Sequence, residues 1–302
     1  MLTLDALRSK INSIEDLQAV VRTMKSLAMV NIRQYEQART NLSAYYHTVE
    51  LGLQALLHHR RFMDSPQGLL SLASVTPQPD SVGMVIFGSD HGLCGPFNEH
   101  IVTYALDQLD RYPIPRDRCS VAAVGARLMP YLATANQPVQ TSFSLPTSLA
   151  GTPQLLQDLL ALIEQWRFHQ AVTQILLVYN QSQSTTTYQP STLSLIPLDR
   201  TWLQDLEQRP WPTTALPTLG QDWESSLSAL IQQHLFVSLY RATVDSLASE
   251  NAGRLMSMQA AETNIEERLA DLNADYRQQR QNSITGELLD IVSGFEALNN
   301  PT

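Results

Sequence analysis

Apolar residues recur at alternating intervals of three and four along the start of the chain. The seam begins at Leu4, Leu7, Ile11 and Ile14 and is still intact at Val49, Leu53 and Leu56. A second seam of the same kind begins at Leu227 and Leu230 and runs past Leu269, Leu272 and Tyr276. Alternation of three and four sustained over many heptads predicts long helices that wrap around a partner. Both seams carry polar interruptions, at Gln18, Lys25, Arg39, Arg241, Asn251 and Glu262. Single polar seam positions often fix register.

Between the seams the period changes. "SVGMVIF" (81–87), "CSVAAVG" (119–125) and "VTQILLVYN" (172–180) are short apolar, β-branched runs that read as strands, and "YQPSTLSLIPL" (188–198) reads as an edge strand. Amphipathic helices are expected at 98–109 and 153–166, and the resulting order of strand, helix, strand, helix, strand predicts an α/β layer with a largely parallel sheet. The stretch 200–217 reads as a proline-punctuated return.

Proline placement draws the same boundaries. Fifteen of the sixteen prolines fall between Pro66 and Pro217, and proline is expelled from helix interiors. The expected organisation is an N-terminal helix within 1–65, a central Rossmann-like α/β domain over 66–217 and a C-terminal helix within 218–302, the two long helices forming an antiparallel coiled coil. With helix ends matched at the domain, position i faces roughly 278 − i, which puts Met24 near Arg254 and Lys10 near Arg268. The second helix then overhangs the first by roughly 20 residues, or about 30 Å. On that overhang Ile284, Leu288, Ile291, Phe295 and Leu298 lie on one side with no partner in the chain, so the stripe calls for a sleeve from other subunits or for self-association.

Composition narrows the classes. A formal charge of −9, with only Lys10 and Lys25 as lysines, argues against general nucleic-acid binding. No apolar run reaches the roughly 18 residues of a membrane span, and "MLTLDALRSK" lacks the order of a signal peptide, so a soluble protein facing the cytosol is expected. Cys94 and Cys119 are too few for a disulfide framework or a zinc cluster and read as buried small side chains. The turn "FGSDHGLCGPFN" follows a strand, yet Gly88, Gly92 and Gly95 lack dinucleotide-fingerprint spacing and no Gly-Lys-Ser/Thr seats a phosphate. An independent nucleotide-binding enzyme is therefore the weaker reading, as is a non-rotary coiled-coil adaptor.

Three segments carry a family likeness. "RSKINSIEDLQAVVRTMKSLA" (8–28), "GSDHGLCGPFN" (88–98), and "LASENAGRLMSMQAAETN" (247–264) together with "YRQQRQNSITGELLDIVSG" (276–294) resemble, in the right order, the γ subunits of F-type ATP synthases, the central rotor shaft. The resemblance implies a non-catalytic subunit without cofactor or metal. Its partners would be the α and β subunits of the catalytic ring, the ε subunit and the c-ring, with peripheral attachment on the cytoplasmic side of an energy-transducing membrane, a bacterial plasma membrane or a thylakoid.

It also implies roles residue by residue. Arg280, Gln281 and Thr285 match positions that hydrogen-bond a loop of β and act as a catch on rotation. The stripe Ile284, Leu288, Ile291, Phe295 and Leu298 matches the bearing inside the α/β ring. Met24 and Lys25, with Glu250 and Arg254 opposite, match the coupling region of the shaft, although core packing for Met24 and register-setting for the polar three read as well. Asn31 stands where the family usually has a lysine, and His91 and Pro96 where arginine and glycine are usual. These departures are similar to the divergent N-type ATPase branch. The connection 179–195 leaves no room for the regulatory insertion of photosynthetic members, so no thiol switch is expected.

Overall fold

The computed structural model describes residues 3–60, 79–146, 148–184, 187–213, 215, 217–218 and 222–299. Helix α1 spans Leu4–Arg60 and the last helix, α6, spans Trp223–Asn299. Between them lie β1 (Val82–Phe87), α2 (Phe97–Leu109), β2 (Cys119–Val124), α3 (Met129–Thr134), β3 (Thr141–Phe143), α4 (Thr152–His169), β4 (Gln174–Ser182), β5 (Tyr188–Ile196) and α5 (Arg200–Gln208). The chain forms two compact units, one of 1–27 with 255–302 and one of 28–254.

In the unit 28–254 the sheet order is β3-β2-β1-β4-β5. β1 pairs parallel with β2 and β4, β3 pairs parallel with β2, and β5 runs antiparallel to β4. β5 is an edge strand, the position that tolerates its Pro190, opposite Asn180. β1 is buried at all six positions because both of its faces are covered. Alternation sends Val85 and Phe87 into one core with Leu156, Leu159 and Trp166 of α4, Leu53 of α1 and Leu227 of α6. It sends Val82, Met84 and Ile86 into the other with Ile101 and Ala105 of α2 and Leu128 and Leu132.

The three expected central strands and the edge strand are present, with ends shifted by at most two residues. Three elements differ from the sequence reading. β3 is only three residues long and carries too little pattern to be seen, as does the six-residue α3. α5 occupies the stretch read as a return, because Asp199 caps it by accepting a hydrogen bond from the Thr201 amide at 2.8 Å, and Leu203 and Leu206 are buried. The Thr201 hydroxyl, donating to the same carboxylate at 2.7 Å, and then that amide bond hold the Asp199 carboxyl below the usual carboxylate range.

In the unit 1–27 with 255–302, Leu7, Ile11 and Leu272 form one small core, and Val21, Met258 and Ile265 another. End-matching puts residues near 260 and 253 opposite Gln18 and Lys25. Their side chains instead reach Glu266 at 3.4 Å and Glu262 at 2.6 Å. Helical side chains lean toward their own N-terminus, so in an antiparallel pair long side chains meet partners further along the other helix than the backbone level suggests.

Gly83 lies in the middle strand, where an added Cβ would sit 2.6 Å from Cε3 of the buried Trp166 ring. Gly83→Ala should therefore destabilise the α/β unit by about 1–3 kcal/mol, read as a lower urea midpoint. An unchanged midpoint would show that the Trp166 ring can move aside.

Candidate functional site

β1 ends at Phe87, and the chain enters the turn of Ser89 to Asn98. Asn98, buried at the start of α2, accepts the Ser89 amide at 2.9 Å and donates to Ser89 Oγ at 2.8 Å. The Asp90 carboxylate accepts the amides of Ala126 and Leu145, each at 2.7 Å, and so ties the turn to two later segments. The Gly88 amide is used by the Val124 carbonyl at 2.7 Å. The first two amides after β1, those of Gly88 and Ser89, are thus taken and do not face a ligand. Cys94 and Cys119 are both buried, and burial pushes the Cys94 thiol up.

The turn packs on α6. Gly253 approaches so closely that an added Cβ would lie 2.8 Å from the Cys94 carbonyl oxygen and 3.3 Å from the Tyr188 ring. Arg254 Nη2 donates to the Gly92 carbonyl at 3.4 Å and to the carboxylate of Glu250. Glu250 is 5 % exposed, and burial raises its carboxyl while Arg254 opposes the rise. Arg254 Nη1 and Asn31 Nδ2 both donate to Asn251 Oδ1 at 3.3 Å. Asn31 thus makes a neutral amide contact with Asn251. Glu250 and Arg254 come together as one pair turned inward on the loop.

Met24 and Lys25 sit in the other unit. Met24 packs against the cluster of Val21, Met258 and Ile265. Lys25 Nζ donates to Glu262 Oε2 at 2.6 Å, and Arg22 Nε to Glu262 Oε1 at 2.9 Å. These two hydrogen bonds, that of Lys25 first, hold the Glu262 carboxyl below its ordinary value. Two polar interruptions of the seams, Lys25 and Glu262, are thus partners across the helices.

Toward the end of α6, Ile284, Leu288, Ile291 and Phe295 are 48, 57, 69 and 67 % exposed. The side chain of Leu298 lies outside the described ones. Leu289 and Val292, not read from the sequence, are also exposed at 61 and 53 %. At 100° per residue they widen the apolar face to roughly 160° of the helix circumference. The adjacent pairs Leu288-Leu289 and Ile291-Val292 carried that signal. Arg280 is exposed at the edge of this face, and Gln281 and Thr285 are exposed within its arc. Among the described residues Arg280 makes no ion pair, while the Thr285 hydroxyl donates to the Gln281 carbonyl at 2.9 Å and keeps its lone pairs for an outside donor.

The family described as ATP synthase matches residues 3–298. The chain is 30 % identical to the ATP synthase gamma chain of Granulibacter bethesdensis, over 99 % of this chain and 100 % of that one. It is 28 % identical to the gamma chain of a Cyanothece species over the same shares. Among solved structures, a chain of the Euglena gracilis mitochondrial ATP synthase superposes with a TM-score of 0.65 at 16 % identity, covering 98 % of this chain and 94 % of that one. A chain of the Tetrahymena thermophila central stalk and c-ring gives 0.55 at 20 % identity, covering 80 % and 99 %. At these identities the structures show a shared fold.

Gly253→Ala gains about 1 kcal/mol of helix propensity but sets a Cβ against a backbone oxygen. A net loss of about 1–2 kcal/mol is expected in chemical unfolding, whereas Gly286→Ala, with nothing within 4 Å, should be tolerated. A Gly253→Ala chain as stable as the parent would mean that the turn gives way.

Proposed function

The chain belongs to the ATP synthase family as one of its gamma chains, and on that premise we propose that it is the central shaft of the rotor. In this reading, ion-driven turning of the membrane c-ring is passed through the chain to the catalytic β subunits. The observation that carries the proposal is the apolar face of Ile284, Leu288, Ile291 and Phe295, exposed in the chain by itself and so large that it calls for a surround. An α/β ring with an apolar collar supplies that surround. The shaft holds no catalytic group of its own. Each orientation contributes a different interaction with open and closed β subunits, and rotation thereby shifts which nucleotide-site state is favoured.

The other roles follow from position. Arg280, Gln281 and Thr285 lie within five residues, little more than one turn, and can address a single acidic loop of β as a catch. Arginine offers a fork to a carboxylate, and Thr285, its proton already given to Gln281, accepts. Met24 and Lys25 on one helix, and Glu250 and Arg254 on the other, serve as the coupling stretch through the stiffness of their contacts. The ε subunit and c-ring are the partners of the α/β unit. Among the described residues no helix is long and apolar enough to cross a membrane. In the proposed reading attachment is peripheral, through the membrane sector, on the cytoplasmic side.

The test of the shaft is assembly. Ile291→Asp or Phe295→Asp should weaken formation of the complex with α and β subunits, because an unpaired charge enters an apolar collar, while the isolated chain keeps its helical circular dichroism. Loss of helix in the isolated mutant with normal assembly would overturn the proposal.

The test of the catch is turnover. Charge-assisted bonds are worth about 1.5–3 kcal/mol each. Arg280→Ala and Gln281→Ala should lower ATP hydrolysis and synthesis several-fold in complexes of normal composition, and Thr285→Val should act more weakly. Parental turnover in the Arg280→Ala, Gln281→Ala double mutant would show these side chains to be bystanders.

A further inference from the structure

Within the unit 28–254 a cavity of about 400 Å³ opens between α1, α6 and the end of β4, lined among others by Arg39, Ser43, Gln181, Arg241 and Asp245. Asp245 is 1 % exposed, and among the described residues neither of its carboxylate oxygens accepts a hydrogen bond. Arg39 Nη1 stands 3.6 Å from Oδ1 and Arg241 Nε 3.9 Å from Oδ2. Both are ion-pair distances too long for hydrogen bonds. The two arginine side chains are 45 and 54 % exposed, and both residues line the cavity.

A buried carboxylate without donors is costly, and two arginines held back from it do not repair the loss. The cavity therefore asks for an occupant that donates to Asp245 and accepts from Arg39 and Arg241 at once. A simple cation meets the two guanidinium groups and is repelled. A fully ionised oxyanion such as sulfate satisfies the arginines but turns lone pairs on the carboxylate.

We propose that this cavity binds inorganic phosphate in a form that keeps a P–OH, the proton donated to Asp245 and the anionic oxygens accepting from Arg39 and Arg241. Ser43 and Gln181 add a hydroxyl and an amide at the wall. The same chemistry separates free phosphate from phosphoryl groups on larger molecules. A phosphomonoester, with a second pKa of about 6, has mostly lost its last P–OH at neutral pH. Inorganic phosphate keeps one. The volume leaves room beside the ion for waters, at about 30 Å³ each.

Equilibrium dialysis of the full chain against radiolabelled orthophosphate at pH 7 in chloride buffer tests this, and the result stands apart from the rotor reading because no partner subunit is present. The expected result is saturable binding of one phosphate per chain, with sulfate and methyl phosphate each competing at least about tenfold more weakly, the loss of one charge-assisted bond. Arg241→Gln and Arg39→Gln should each lower phosphate affinity about tenfold or more, with thermal unfolding still cooperative. Asp245→Asn should abolish the discrimination, so that sulfate competes as well as phosphate. Should that variant fail to fold, the discrimination by the parent chain and the two arginine variants decide the matter alone. No saturable binding up to about 10 mM, the range of about 3 kcal/mol, overturns the proposal. So does equal competition by sulfate in the parent chain, or binding indifferent to both arginine substitutions.

Discussion

The unit 28–254 depends on one close approach, that of the Cys94 carbonyl to Gly253. It brings the turn after β1 against the backbone of α6, where no side chain larger than hydrogen fits. Everything around it is arranged to hold that contact. Arg254 reaches the Gly92 carbonyl, Glu250 steadies Arg254, and Asp90 anchors the turn from the opposite side through two backbone amides. A neighbouring bond, from Ser249 Oγ to the Asn180 carbonyl at 2.9 Å, fastens the same stretch of α6 to the end of β4. A helix tied to a sheet at several points along one turn cannot roll against it without breaking polar contacts in a desolvated place. That is the rigidity a shaft needs where it meets its own α/β layer.

Much of this architecture is legible in the sequence because its signals are long or categorical. Proline distribution delimits α1 and α6, and β-branched runs give β1, β2 and β4. The elements that escape are short or set by tertiary contact. β3 exists because β2 offers a free edge, and α5 because Asp199 supplies a cap in a stretch that its prolines make look irregular. The polar seam positions are visible as interruptions but not as pairs. Only folding shows that Lys25 answers Glu262, or that Arg39 and Arg241 converge on Asp245.

The candidate site divides in the same way. The exposed stripe follows from counting residues, since a longer helix must outrun a shorter one. The width of its apolar face does not, because Leu289 and Val292 are off the heptad seam. Glu250 and Arg254 were legible through family likeness, yet their inward pairing over the turn is a fact of three dimensions. Asp90 and Asn98 lie in a segment marked by family likeness, but their bonds were not legible, and Asp245 carried no signal in a single sequence, where a buried acid looks like any other.

Gly286 and Gly294 sit eight residues apart on α6, with open space around both. Each lowers local helix stability by about 1 kcal/mol relative to alanine, on a stretch whose apolar side chains are exposed. These two positions make this stretch of α6 easier to bend and unwind than alanine would leave it. In the proposed shaft such a tip can enter a narrow passage by changing its curvature as it goes, and its order is completed by the ring that closes around it. Entry is made easier at some expense in grip, since the entropy of straightening the last turns is charged against association. The compliance belongs at the tip, while the turn at Gly253 keeps the base stiff.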